Sequence, residues 1–246
     1  MQKNNASNFY DAIAEKYSWF FSSRMNIMER QIAQIKPILE QFNIKSILDC
    51  SCGDGLQAIP LVKQGYIVDG GDISANMVKK AVEYAEKENL KINFKQADFR
   101  ELEQTFSKTY DCVLTMGNSI PHLMTDEDIT KALSSIYGRI NANGIAIIEM
   151  RDYDKMLADK ERFLPMRIND VQDGFRYSIL YVFDYLPDFI RFNIVYLIEK
   201  IETGEKFMEQ ESVELNPIKR TDFVAHLKDV GFDSVDYENG LYIAQK

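Results

Sequence analysis

Residues 44 to 55 read Ile44-Lys45-Ser46-Ile47-Leu48-Asp49-Cys50-Ser51-Cys52-Gly53-Asp54-Gly55, followed by Leu56-Gln57-Ala58-Ile59-Pro60-Leu61-Val62. An apolar run ends in an acid, a glycine turn follows, and helix-compatible residues begin at Leu56. The pattern predicts a strand, a tight turn and a helix start. That unit opens a doubly wound α/β sheet, and its turn is where such sheets bind nucleotides.

The acid at the strand end narrows the choice of nucleotide. Gly53-x-Gly55-x-x-Ala58 also fits a dinucleotide fingerprint, but loosely. A dinucleotide would set a pyrophosphate on the turn and the helix start, where Asp49 would repel it. S-adenosylmethionine has no phosphate, and its ammonium and sulfonium are attracted to a carboxylate. Its own carboxylate can use the free N–H groups of the helix start. Asp49 also fits a plain turn or cap role; the glycines behind it favour the cofactor.

With 246 residues the chain is long enough for one domain, or one domain with an insertion. The net charge of −9 argues against nucleic acid, because phosphate binding needs clustered Lys and Arg. The start, Met1-Gln2-Lys3-Asn4-Asn5, has no apolar leader, and no apolar run is long enough for a membrane span. The three cysteines, Cys50, Cys52 and Cys112, fall in predicted strands or the glycine turn, which is no disulfide framework and points to the reducing cytoplasm. Cys50-x-Cys52 has only two histidines in the chain to complete a metal set, both distant in sequence, so no metal is expected.

Upstream, Phe9, Tyr10, Ile13, Ala14, Tyr17, Trp19, Phe20 and Phe21 predict an aromatic amphipathic helix over residues 8–21, able to serve as core or as a lid on the crevice. A second helix is expected from Met25 to Gln41, bent or interrupted at Pro37. Downstream, a second strand from Tyr66 ends at Asp72, about 20 residues past the glycines, where an acid holds ribose hydroxyls. Ser74 reads as the N-cap of a helix from Ala75 to Glu88. A strand from Ile92 to Ala97 leads to Asp98-Phe99, a carboxylate and a ring suited to adenine or to an ordinary loop. The strand Tyr110 to Met116 runs into Gly117-Asn118-Ser119-Ile120-Pro121-His122-Leu123. Thr125 caps a helix to Gly138, and a fifth strand, Ile145 to Met150, ends at Arg151-Asp152-Tyr153-Asp154.

Residues 163–216 switch to period two, with Phe175, Tyr177, Ile179, Tyr181, Phe183 and Tyr185 on one face of a run and Ile190, Phe192, Ile194, Tyr196 and Ile198 on the next. Asp173-Gly174, Leu186-Pro187-Asp188 and Thr203-Gly204 separate the runs. An antiparallel meander is expected, its aromatic face walling the substrate side. A helix capped by Thr221 and ended by Gly231, then a hairpin over residues 232–245, closes the chain.

These residues resemble a class I S-adenosylmethionine-dependent methyltransferase over nearly the whole chain. Ile47-Leu48-Asp49-x-x-Cys52-Gly53-x-Gly55 is similar to the family's first motif, with Ser51 replacing one glycine. The resemblance implies a Rossmann-like, mostly parallel seven-stranded sheet with a terminal antiparallel hairpin. Residues 1–162 and 217–246 would form this core with an N-terminal helical lid, and 163–216 an inserted, substrate-covering meander. The implied cofactor site is Arg24, Asp49, Cys50, Ser51, Gly53, Gly55, Asp72, Ile73, Met77, Asp98, Phe99, Met116 and Gly117.

Within the family, Gly117-Asn118-Ser119-x-x-His122-Leu123 and Arg151-Asp152-Tyr153-Asp154 are similar to motifs of glycine and glycine/sarcosine N-methyltransferases, with Asp152 in place of Asn. That likeness implies methylation of a small amino acid's amine: Arg151 for its carboxylate, Asn118 to orient it, and His122 to position the amine, accept its proton or support the loop. Tyr17 and Tyr177 are candidate pocket residues. Another small N, O or S acceptor, or a non-enzymatic S-adenosylmethionine sensor, are the alternatives.

Overall fold

The computed structural model describes residues 5–246, so the leader reading of residues 1–4 lies outside it. Among the described residues, eleven strands form two sheets. The larger is built from β1 (Ser46–Asp49), β2 (Ile67–Asp72), β3 (Asn93–Gln96), β4 (Tyr110–Thr115), β5 (Ile140–Glu149), β10 (Ser234–Glu238) and β11 (Leu241–Gln245). Its order is β10-β11-β5-β4-β1-β2-β3. β1 pairs in parallel with both β2 and β4, so the chain reverses direction across the sheet at the carboxyl end of β1, the place where doubly wound sheets bind ligands. β11 runs antiparallel to β5 and β10, as expected for the terminal hairpin.

Alternation along the strands builds two cores. Ile47, Cys112, Leu114 and Ile147 face α2 (Arg24–Gln41) and α3 (Ala58–Lys63). Leu48, Val113, Ala146 and Ile148 face α5 (Asp126–Gly138) and α7 (Arg220–Val230). The smaller sheet, β6 (Phe163–Gln172), β7 (Phe175–Tyr185), β8 (Ile190–Lys200) and β9 (Lys206–Leu215), is the expected antiparallel meander, ordered β6-β7-β8-β9. Its buried face carries Ile179, Phe183, Phe192, Ile194 and Tyr196. These pack against Phe9, Ile13, Trp19 and Phe20 of the N-terminal segment, which is both core and cover.

Several boundaries differ from the sequence reading. The first helix is α only from Asn5 to Ile13 (α1) and continues as a 3-10 helix over Ala14–Phe20. Three residues per turn puts Ala14, Tyr17 and Phe20 on one face, which suits closely spaced aromatics. Pro37 lies within α2 without ending it. The helix after the glycine turn begins at Ala58, not Leu56, since Gly55 still closes a turn by donating to the Cys52 carbonyl at 2.8 Å. β5 starts at Ile140, not Ile145, and absorbs Asn143-Gly144 as a shift in its register with β4. Arg220, not Thr221, opens α7. Asp152 is not simply in a loop: it caps a short helix, α6 (Tyr153–Asp159), accepting the Lys155 N–H at 3.0 Å.

Ser74 caps α4 (Ala75–Lys87) as expected, accepting the Met77 N–H at 3.1 Å. The same hydroxyl donates to Asp11 of α1 at 2.5 Å, and Asp11 also accepts the Asn76 N–H at 3.1 Å. An acid from the cover thus sits on the positive end of α4 and ties the N-terminal segment to the sheet. Ser74→Ala removes the cap and one anchor of the cover, and should lower unfolding free energy by about 1–2 kcal/mol in urea melts. An unchanged midpoint would contradict this latch.

Candidate active site

A cleft with about 1150 Å³ of empty space, mouth included, opens at the carboxyl ends of β1, β2 and β4. Cys50, Ser51, Gly53, Asp72, Ile73, Met77, Asp98, Phe99, Met116 and Gly117 line it. The structure therefore gathers most of the residues singled out for the cofactor along one wall. Gly53 and Gly117 have positive φ, +52° and +73°, and no atom lies within 4 Å of where a side chain would project from either. The Asp72 carboxylate is held from behind by the Gly53 N–H (2.8 Å) and the Ser74 N–H (2.9 Å).

Three residues stand off that wall. Asp49 is fully buried beneath the turn. Neither of its oxygens has a hydrogen bond of good geometry, although the Ser51 amide opposes the effect of burial. Gly55 lies behind the turn, packed so closely that a methyl group would press on Ile59. Arg24 is paired with Asp54, donates to the Asp54 carbonyl at 2.8 Å, and lies over the Tyr84 ring. Asp98 lines the cleft but is already gripped by Arg100, which reaches Asp128 as well.

Sequence reasoning missed Tyr10 and, from α2, Arg30 and Gln31, all on the cleft wall. Arg30 is exposed and has no ion-pair partner among the described residues. Tyr10 belonged to the aromatic stripe already noted, whereas nothing local marks Arg30.

A smaller pocket, about 440 Å³ of empty space, adjoins the cleft and shares Tyr10, Tyr17, Gly117 and His122 with it. Asn118, Arg151, Tyr181, Phe192 and Ile194 complete it, so the meander does wall this side. Arg151 lies among three rings, its guanidinium carbon 5.5 Å from the centre of Tyr181, 5.2 Å from Phe183 and 4.9 Å from Phe192. Its Nη1 is buried without a hydrogen-bond partner. Asp152 and Asp154, which could have neutralised it, are turned to Arg220 instead, through its side chain at 3.3 Å and its backbone N–H at 3.0 Å.

Asn118 brackets this pocket from its left-handed turn. Its Oδ1 accepts the Arg151 N–H at 3.0 Å and its Nδ2 donates to the Tyr153 hydroxyl at 3.0 Å. His122 Nε2 shares a hydrogen bond of 3.1 Å with the Tyr10 hydroxyl, while its buried Nδ1 has no partner. Burial and the Arg151 charge push the His122 imidazole down to about 4, so it is neutral at pH 7. Tyr177 is not brought into the pocket. It stacks on Trp19 with ring centres 4.4 Å apart and donates to the Trp19 carbonyl at 3.3 Å.

The comparisons with known proteins agree with this geometry. Residues 47–144 match the model of a methyltransferase domain. A glycine/sarcosine N-methyltransferase of Parasynechococcus marenigrum (strain WH8102) is 34% identical over 120 residues, 49% of this chain and 43% of the relative. A ubiquinone biosynthesis O-methyltransferase of Rickettsia prowazekii (strain Madrid E) is 37% identical over 128 residues, 52% of this chain and 48% of the relative. The chain spans under half the length of these curated relatives. The crystal structure of Streptomyces venezuelae DesVI superposes with a TM-score of 0.79 at 17% identity, covering 94% of this chain and 97% of that one.

Residues 47–144 are similar to methyltransferase domains, and the fold is the one found in a solved S-adenosylmethionine-dependent methyltransferase structure from Clostridium acetobutylicum. The cleft suits S-adenosylmethionine: open space over two glycines, acids along the wall, and an orphaned carboxylate under the turn. Among the described residues no helix is long and apolar enough to cross a membrane, and no cluster of His, Cys, Asp and Glu has the makings of a metal site. Burial raises the thiols of Cys50, Cys52 and Cys112, that of Cys50 to about 12, which leaves them protonated at neutral pH.

Burial, reinforced by the Asp72 charge, pushes the Asp49 carboxyl up to about 8. Burial also raises Asp72 to about 6, with the Ser74 and Gly53 amides opposing it. At pH 7 Asp49 therefore mostly holds a proton, while Asp72 holds one only in a minority of molecules. A cationic ligand lowers both values again. Binding of S-adenosylmethionine at pH 7 should therefore release protons, measured as a dependence of calorimetric heat on the buffer's ionisation enthalpy. At pH 9 the release should vanish, because Asp49 is then already ionised. Proton uptake at pH 7 would contradict the electrostatic account of the cleft.

Proposed function

We propose that the protein transfers a methyl group to the amine of a small amino acid, with glycine and sarcosine as the reference acceptors. The observation that carries the reading is the Arg151 guanidinium, whose Nη1 is buried, unpaired and surrounded by rings. An unpaired buried cation costs several kcal/mol, and the neighbouring rings offset only part of that. A carboxylate entering the pocket would complete it with a charge-assisted hydrogen bond. The partial likeness to glycine/sarcosine N-methyltransferases supports the same acceptor class.

The inserted segment, residues 163–216, together with the N-terminal cover, would form the acceptor side of the site. The residues divide the work. Arg151 holds the acceptor carboxylate, and Asn118 fixes the backbone from which Arg151 projects. Tyr10 and His122 lie on the boundary between cleft and pocket, where the amine must meet the methyl group. The partnerless His122 Nδ1 can accept an amine N–H in one tautomer, turning the nitrogen lone pair toward the cleft. With the imidazole pushed down to about 4, His122 is a poor proton sink near neutrality. Its role is then orientation, and the amine must arrive neutral. The bound cofactor supplies an electrophilic methyl group activated by the sulfonium. The protein contributes alignment and the exclusion of water by the aromatic walls.

Arg151→Lys keeps a positive charge but loses the planar fork. The KM for glycine or sarcosine should rise about tenfold to a hundredfold, the range of about 1.5–3 kcal/mol for a hydrogen bond to a charged group. Affinity for S-adenosylmethionine and melting temperature should change little. Loss of cofactor affinity and stability together, with equal effects on amines lacking a carboxylate, would make Arg151 structural and end the amino-acid reading. Steady-state assays with labelled methyl donor separate the two outcomes.

A further inference from the structure

A second cleft lies beside the acceptor pocket, with about 910 Å³ of empty space. One wall is the stretch from the 3-10 helix into α2, and the other is β6 with Tyr181 of β7. Tyr17, Phe20 and Tyr181 line this cleft and the acceptor pocket alike, so the two spaces meet at three aromatic side chains. Arg151 lies on the acceptor side of that junction, 5.5 Å from the Tyr181 ring centre.

The charges in this cleft are of one sign. Arg30 of α2 and Arg167 of β6 both line it, and no Asp or Glu does. The rest is aromatic, aliphatic, or neutral polar such as Ser22 and Asn26. Arg30 has no ion-pair partner among the described residues, and Arg167 is paired only with Asp170, which stands outside the lining. The cofactor cleft shares Arg30 but carries Asp54, Asp72 and Asp98 in its wall as well. In a chain of net charge −9, an acid-free cleft with two guanidinium groups, one of them shared with Asp170, attracts anions more than cations.

We propose that this cleft is a distal subsite for a second anionic group on the acceptor. The favoured substrate is then an amino acid whose α-carboxylate meets Arg151 and whose side chain passes Tyr17 and Tyr181 to place a carboxylate or phosphate between Arg30 and Arg167. The proposal rests on the amino-acid reading of the acceptor pocket and narrows it. Shape alone discriminates weakly between side chains of equal size, whereas an acid-free cleft with one exposed and one half-buried guanidinium discriminates by charge. Arg167 does not line the cofactor cleft, so its contribution is separable from cofactor binding.

The test compares neutral and anionic acceptors of matched shape: aspartate with asparagine, glutamate with glutamine, and O-phosphoserine with serine, each beside glycine. Methyl transfer is followed with the intact protein and labelled S-adenosylmethionine. At least one anionic member should exceed its neutral partner by about tenfold or more in kcat/KM, and should exceed glycine. Whether aspartate, glutamate or phosphoserine leads identifies the anion. Arg167→Gln should reduce that anionic-to-neutral ratio several-fold while leaving the dissociation constant for S-adenosylmethionine, measured by calorimetry, unchanged. Glycine as the best acceptor, or a ratio near one for every pair, overturns the distal subsite and leaves the amino-acid reading standing. No turnover of any amino acid overturns both.

Discussion

A guanidinium without a counter-ion, held under an aromatic sheet, is the constraint around which the smaller pocket is built. Arg151, half-buried, leaves the end of β5 into a pocket with no Asp or Glu in its lining among the described residues. The rings of Tyr181, Phe183 and Phe192 stabilise the cation through their faces, each contribution being about 0.5–2 kcal/mol. That does not match the hydrogen bonds water would have given Nη1. A protein keeps such a group only where the rest of the fold pins it in place.

The pinning is visible on every side. Asn118, in a left-handed turn after β4, accepts the Arg151 amide and is bound to Tyr153. Asp152 starts α6, and with Asp154 it is drawn to Arg220 at the head of α7. The acids adjacent in sequence are thereby kept off the guanidinium. The N-terminal cover closes the space from above, tied to α4 by Asp11 and filled against β7 and β8 by Phe9, Trp19 and Phe20. Sheet, cover and meander each supply part of one enclosure. The cofactor cleft beside it has the opposite electrostatic character, with carboxyl groups raised by burial and eased by a cation.

The glycine turn, the acid at Asp72, the Ser74 cap and the period-two meander were legible because each is a local pattern with one structural outcome. The loops after β4 and β5 could be matched to chemistry because they leave neighbouring strand ends. What was not legible depends on contacts between distant segments. Arg24 pairs with Asp54 across the first turn, and nothing in either stretch encodes the pairing. Tyr177 and Tyr181 share one face of β7, so period two cannot choose between them. The choice falls to Trp19, which takes Tyr177 as a stacking partner and leaves Tyr181 to the pocket. Arg30 sits among polar residues of α2, and only the placement of that helix brings it to the cleft. The short α6 was hidden because its first residues also read as an acidic loop.

The account's central claim is that Arg151 is completed by the acceptor's carboxylate and by no group of the protein. A crystal structure with S-adenosylhomocysteine and glycine tests it most directly. The account predicts the glycine carboxylate on the Arg151 guanidinium, within hydrogen-bond distance of Nη1, and the amine directed to the boundary lined by Tyr10 and His122. A complex in which Arg151 instead turns to Asp152 or Asp154, or in which glycine binds with its carboxylate elsewhere, would contradict it.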